Sequence, residues 1–437
     1  MDNFANYLKI IENFLWFYAG IFFILIAGIY LLIYSKFQCL FKFHKSFYNF
    51  AQLFKPNAVQ NIRGVHPLEV FFASLGGCIG LGNISSIAVA VQVGGPGALF
   101  WVWIAAFLGM ILKYSEVYLG LKFRIENNAG SYDGGPMFFL RYAFPSFPII
   151  ANISALLMCF YGADIYLFNV MKESLVENFS LSSNFVIAAL LILIISSVIG
   201  GIKRVGIINA WLIPIFILFF LGMTTYIMIL NYQQIPIIMK NVFSYAFNNH
   251  AIAGGFLGSS LLMTISSGVT SACYSGDIGI GYASIIHSET RIKNNTNQAS
   301  ISLITIFFDT MIICTAVIFL LLLTNTWQDN GLKGVLLVQK ALSQYFPYMQ
   351  IFMPIFIVIL GFSTIIAYMC ASVKSAQFLC PKYGKLLFLI FSSIFFIFFS
   401  FFDASIALSV MYICGGLLMI INIVAIIVLR KYIDFKF

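Results

Sequence analysis

Apolar runs of roughly 20 residues recur along the chain, and short polar stretches between them hold most of the charge. A helix rises about 1.5 Å per residue, so a run of that length predicts a bilayer-crossing helix. Eleven spans are predicted, near residues 12–35, 67–93, 97–121, 148–171, 184–201, 206–231, 264–288, 297–324, 348–376, 385–402 and 404–429. Two apolar stretches, 250–263 and 333–345, are too short to cross and read as interfacial or re-entrant pieces. The first run, Phe14 to Tyr34, leads into SKFQCLFKFHK with no small-residue cleavage site, so it reads as a retained membrane helix. No connection is long enough to hold a separate soluble domain.

Charge orients these spans. Lys36, Lys42, Lys45, Lys55 and Arg63 follow the first span with no acidic residue among them, which predicts a cytoplasmic loop and an external N-terminus. Alternation then places Lys122, Arg124, Arg141, Lys203, Arg204, Arg291, Lys293, Lys374, Lys382, Lys385 and the basic C-terminal tail on the inner side. Lys9, Lys172, Lys240, Lys333 and Lys340 fall outside, and Lys113 lies within a span. The predicted protein is therefore a multi-pass component of a bacterial plasma or inner membrane, with a cytoplasmic C-terminus.

Composition agrees: of 437 residues, 61% are hydrophobic and 9% charged, too little charge to cover a water-soluble surface. The net charge of +9 forms no continuous basic stripe, which excludes a nucleic-acid partner. The eight cysteines include no CxxC pair, and the four histidines are widely spaced, so no metal centre beyond a transported ion and no cofactor is expected.

The departures from apolarity carry the chemistry. GCIGLGNI at 77–84 and GDIGIGYA at 276–283 each concentrate glycines inside a predicted span. Each glycine costs about 1 kcal/mol against alanine in a helix, so the clusters predict two interrupted helices. Freed backbone groups in lipid must line an enclosed cavity and bind something: amides suit a carboxylate, carbonyls a cation. Setting the first helix aside leaves ten, and each glycine cluster falls in the first span of a group of five. Five is odd, so the two groups run in opposite senses. The predicted organisation is all-α: 1–66 as an N-terminal helix and basic loop, 67–231 and 250–429 as inverted five-helix repeats, and 430–437 as a tail. An intramembrane enzyme would need facing catalytic pairs, which the sequence lacks. A channel would need a continuous polar stripe, whereas polarity here gathers at the two interruptions.

Residues 80–124, GLGNISSIAVAVQVGGPGALFWVWIAAFLGMILKYSEVYLGLKFR, closely resemble the sodium:alanine symporter family, which carries GTGNI, GGPGAxFWMW and GMxxKxxE. GGPM at 134–137, DIGIGYA, FFDTMIICT at 307–315 and FSTI at 362–365 extend the resemblance from about residue 67 to about 429. It implies a leucine-transporter-type fold with one extra helix, and inward symport of a small neutral amino acid such as alanine or glycine with sodium by alternating access, in a monomer or weak oligomer. By that resemblance the substrate site holds Gly80, Leu81, Gly82, Asp277, Gly279 and Tyr368, with the Leu81 and Gly82 amides facing the carboxylate. One sodium is implied at the Cys78 carbonyl and the Asn83 side chain. A second is implied among the carbonyls of Gly76, Ile79 and Leu360 and the hydroxyls of Ser363 and Thr364. The spacing of Leu360, Ser363 and Thr364 puts them on one helical face. Departures bear on the substrate: Leu81 replaces a threonine, Gly276–Asp277 an asparagine–glutamate pair, Tyr282 a serine, Tyr368 a tryptophan and Val373 a glutamate. Proton coupling and another amino acid remain open alternatives.

Charges inside spans need partners. Lys113 and Glu116, three apart on one helix, are expected to pair with each other. Asp277 either takes the substrate ammonium or caps the second half-helix. Asp309 is expected against polar backbone at a broken helix or on a cation. Asp164 is expected in a satisfied polar contact, the alternative being a proton relay.

Overall fold

A computed structural model describes residues 2–55, 63–127, 130–247, 261–402 and 404–436. Helices make up nearly all of it; the strands among the described residues are the antiparallel pair Ile125–Glu126 and Tyr132–Asp133. The chain begins with the helix Asp2–Asn13, which runs through a π-helical stretch, Phe14–Gly20, into α1 (Ile21–Tyr34). Next come α2 (Pro67–Cys78), α3 (Leu81–Gly94), α4 (Ala98–Lys122), α5 (Ile149–Tyr161), α6 (Ile165–Phe179), α7 (Ser183–Val198) and α8 (Gly201–Leu230). After them are α9 (Leu261–Gly276), α10 (Tyr282–Ser288), α11 (Asn295–Ile306), α12 (Met349–Leu379), α13 (Gly384–Phe399) and α14 (Ala404–Val428). Eight helical stretches among the described residues are long and apolar enough to cross a membrane, and α7 and α13 are shorter apolar helices.

Local chemistry sets the boundaries. Pro67 starts α2, where its missing N–H costs nothing, and His66 Nδ1 accepts from Leu68 N while Glu69 Oε2 accepts from His66 N, both at 3.3 Å. The helices then sort by burial. α2, α3 and the second half of α4 are mostly buried, with Val89 and Val93 of α3 exposed, whereas α8 turns Trp211 and Leu218 outward, each 73% exposed. Apolar side chains so exposed suit contact with lipid rather than water. Small residues let the central helices approach: a Cβ at Gly206 of α8 would lie 2.1 Å from the Glu69 carbonyl of α2, and one at Gly268 of α9 2.7 Å from the Ala98 carbonyl of α4.

Two boundaries differ from the sequence reading. The helix over the first span begins well before residue 12. The span expected at 148–171 is interrupted at Gly162–Asp164 and continues as α6 to Phe179. The stretch 333–345 contains a short helix, Val335–Ser343; most of 250–263 lies outside the described residues.

Candidate functional site

Both glycine clusters leave the helical path. Between α2 and α3 the backbone is extended at Ile79 and Gly80. Between α9 and α10, Asp277 (φ 50°), Gly279 (φ 76°) and Gly281 (φ 102°) take left-handed conformations. Glycine does so freely; aspartate pays for it, which makes Asp277 a held rather than a relaxed residue. The two gaps abut: Cys78 Sγ, at the end of α2, lies 3.8 Å from the Gly276 carbonyl and 3.7 Å from Asp277 Oδ2.

Lys113 and Glu116 of α4 do not pair with each other, contrary to expectation. Instead they reach the two sides of the second gap. Lys113 Nζ donates to the Gly276 carbonyl and to Cys78 Sγ, each at 2.9 Å. Glu116 Oε1 accepts from Ser284 N at 3.1 Å. Both side chains are fully buried. A cation on the last carbonyl of α9 sits at the negative end of that helix dipole, which explains why the lysine goes there rather than to the carboxylate one turn away.

Asp277 does not cap α10, a correction to one of the readings above, because its backbone turns its carboxylate the other way. Oδ1 accepts from the hydroxyls of Tyr161 and Tyr368. The ring of Tyr282 packs against Tyr368, centroids 4.7 Å apart, and its hydroxyl donates to the Ala73 carbonyl at 2.7 Å. Tyr161, Tyr368 and Tyr282 thus form a layer of contacting rings beside Asp277.

Asp309 lies in a π-helical stretch, Phe307–Cys314, that follows α11; such wider turns redirect side chains and recur at functional sites. Its partners are side chains rather than the expected backbone: Asn83 Nδ2 donates to Oδ1, and Thr310 Oγ1 to Oδ2 at 2.7 Å. Asn83 Oδ1 in turn accepts from Gly80 N at 3.0 Å, tying the first gap to Asp309. A Cβ on Gly276 would lie 3.1 Å from Asp309 Oδ2, so this carboxylate also borders the second gap.

A further cluster joins α2, α8 and α12. Thr364 Oγ1 donates to the Gly76 carbonyl at 3.0 Å, and Ser363 Oγ to the Leu360 carbonyl at 2.8 Å. A Cβ at Gly80 would meet Thr364 Oγ1 at 2.1 Å. Asn209 of α8, absent from the sequence reading, donates through Nδ2 to the Ser363 carbonyl at 3.3 Å. Its Oδ1 is buried without a hydrogen-bond partner. A Cβ at Gly279 would lie 3.2 Å from Ile423 and 3.5 Å from Met419, so that side of the second gap faces apolar side chains. Asp164 lies apart as the N-cap of α6, accepting from Leu167 N at 3.1 Å, which is the satisfied polar contact expected.

A cavity of about 670 Å³ runs from Gly82 toward the N-terminal helix. Its polar lining includes Ser85 and Tyr166, bonded to each other at 2.7 Å, with Ser86, Ser271 and Tyr274. Glu12 and Trp16 form one wall, and Lys333, Gly334 and Gln339, at and beside the short helix Val335–Ser343, line another part. The sequence reading missed this wall. Glu12 accepts from Ser409 at 2.7 Å and Trp16 Nε1 donates to the Tyr412 carbonyl at 2.8 Å, so the N-terminal helical segment is bound to α14. Elsewhere, three of the basic residues assigned to a common side hold partners from neighbouring segments. Arg124 holds the Ser288, Thr290 and Ile292 carbonyls, Lys374 pairs with Asp133 and Glu289, and Lys122 reaches Tyr432. Lys9 and Lys333, assigned to the other side, both line the cavity.

The sodium:alanine symporter family profile matches residues 1–435. An uncharacterized transporter, YflA, of Bacillus subtilis is 31% identical over 330 residues, 74% of this chain and 69% of that protein. The sodium/alanine symporter AgcS of Methanococcus maripaludis is 26% identical over 393 residues, 87% of this chain and 85% of that one. Among solved structures, MhsT in complex with L-phenylalanine superposes with a TM-score of 0.58 at 13% identity, covering 85% of this chain and 90% of that one; at that identity the likeness speaks to the fold.

Proposed function

Because this chain belongs to the sodium:alanine symporter family, and is a transporter rather than an enzyme, we propose that it carries a small neutral amino acid of the alanine or glycine class inward together with sodium by alternating access. The observation that carries this reading is the abutment of two unwound gaps inside buried helices, Cys78 against Gly276 and Asp277, with a cavity leading to Gly82. The arrangement we infer has eleven spans, the first an extra helix and the rest two inverted repeats, with the N-terminus outside. In that orientation the cavity faces outward and the Tyr161–Tyr368–Tyr282 layer closes the inner path.

The residues divide the work by chemistry. The first-turn amides of α3, at Leu81 and Gly82, suit the substrate carboxylate, because a helix start presents unpaired N–H groups. Asp277 suits its ammonium, held in place by the Tyr161 and Tyr368 hydroxyls. Sodium is a hard cation that takes oxygen ligands. Asp309 with Asn83 offers one such group beside the Cys78 end of α2. The Gly76, Ile79 and Leu360 carbonyls with Ser363 and Thr364 offer another, and the unpartnered Oδ1 of Asn209 fits the same need. Tyr282 and Leu81, both fully buried and larger than their family counterparts or more apolar, favour a compact substrate.

The test is uptake of labelled alanine, glycine and competing amino acids into proteoliposomes under separate sodium and proton gradients. Sodium-driven accumulation is expected. Accumulation driven by protons alone would replace the coupling assignment, and a different preferred competitor would replace the substrate class.

A further inference from the structure

Four ionisable side chains crowd the two gaps, and each is fully buried: Lys113, Glu116, Asp277 and Asp309. Cys78 Sγ contacts both Lys113 Nζ and Asp277 Oδ2, Asp309 Oδ2 borders Gly276, whose carbonyl Lys113 holds, and Glu116 lies one turn from Lys113 on α4. One ammonium therefore faces three carboxylates, a formal deficit of two positive charges in the middle of the protein. Burying unbalanced charge is strongly unfavourable, so a deficit of this kind calls for cations from outside. The placement of Lys113 defines that number. Its Nζ spans the gaps, 2.9 Å from Cys78 Sγ at the end of α2 and 2.9 Å from the Gly276 carbonyl at the end of α9. Among the described residues no carboxylate forms an ion pair with it, so its charge belongs to the shared site rather than to one partner.

We propose that Lys113 is a tethered cation of the translocation site: it fills the charge place of one imported ion and so fixes how many cations accompany the substrate. The inference rests on the sodium-coupled reading above and adds a residue that sets stoichiometry. Lys113 is a positioning residue here, acting on the ions through the field it imposes. Three consequences follow. Lys113→Gln keeps a hydrogen-bond donor and removes the charge, so the site needs one cation more. Lys113→Arg keeps the charge and leaves the number unchanged, whatever it does to the rate. Removing one carboxylate along with the lysine, as in the double variant Lys113→Gln/Glu116→Gln, restores the original balance, and Glu116 touches Ser284 N rather than the residues assigned to the substrate.

Two measurements read this. The reversal potential of substrate-driven current in proteoliposomes counts charges moved per substrate. The dependence of unfolding temperature on the logarithm of sodium concentration, and on pH, counts cations bound by the folded protein without any transport. For Lys113→Gln the expected result is one additional cation, sodium and protons counted together, with Lys113→Arg and the double variant at the wild-type count. If Lys113→Gln cannot be purified, the double variant decides: recovery with the wild-type sodium slope supports the proposal. A Lys113→Gln protein with the wild-type cation count, or a double variant no better than the single one, overturns it. A wild-type protein with no sodium slope would instead remove the sodium reading itself, so the two failures are told apart.

Discussion

Thr364→Val tests the cluster between α2 and α12 with little change of shape. The hydroxyl it removes spans 3.0 Å to the Gly76 carbonyl in a wholly buried setting. Leaving that carbonyl without its donor costs about 1–3 kcal/mol of stability. If sodium binds there, a second loss appears only in its presence. A contact to a charged group is worth about 1.5–3 kcal/mol, which corresponds to a rise of roughly 10- to 150-fold in the sodium concentration for half-maximal uptake. Ser372→Ala is the matched control: its Oγ donates to the Met158 carbonyl at 2.7 Å, also buried, but between α12 and α5. Both variants should unfold at lower temperature, and only Thr364→Val should shift the sodium dependence of uptake. Equal sodium half-saturation in wild type and Thr364→Val, or an equal shift in both variants, refutes the reasoning that places an ion at this cluster.

Other expectations are independent of that one. Tyr282→Ser, which installs the family residue, empties the space of a buried ring and should cost about 3–5 kcal/mol, whereas Tyr282→Phe loses one hydrogen bond, about 1 kcal/mol; thermal unfolding ranks the two. Asp164→Ala removes a helix cap worth about 1 kcal/mol and should leave the pH profile of uptake unmoved, a shifted profile being the mark of a proton relay. Burial pushes the Glu289 carboxyl above the usual carboxylate range, and Lys374 beside it pulls it partly back. In Lys374→Met that opposition is gone, so Glu289 rises further. Stability is then full below the ordinary carboxyl range and falls as pH rises through the raised folded value. Unfolding temperatures measured between about pH 5 and 8 should drop more steeply than in wild type; parallel curves contradict this.

Helix placement was legible because lipid-spanning runs and glycine clusters are properties of consecutive residues. The Leu360–Ser363–Thr364 face was legible for the same reason, since helical periodicity alone aligns it. What escaped was set by side chains meeting across distant segments. Lys113 and Glu116 look paired along α4, yet backbone groups on α9 and α10 compete for them, and no spacing within α4 reveals that. Asn209 sits in an ordinary apolar span, and only the approach of α8 to Gly76 makes it polar neighbour to Ser363. The interruption at Gly162–Asp164 has a local sequence signal of its own. A glycine two residues before an aspartate is the composition of a turn leading into an N-cap, masked here by the apolar residues on either side.

The wall that Trp16 contributes to the cavity gives the molecule an optical reporter. The chain has five tryptophans, and Trp16 is the one among the cavity-lining residues, whereas Trp211 faces outward on α8. Its indole is anchored by the Tyr412 carbonyl and stacked edge-on against the Tyr412 ring, so its emission registers the polarity of the chamber rather than its own tumbling. With the other four replaced by phenylalanine, intrinsic fluorescence from this single site would follow the filling and emptying of the chamber in real time, with no label attached.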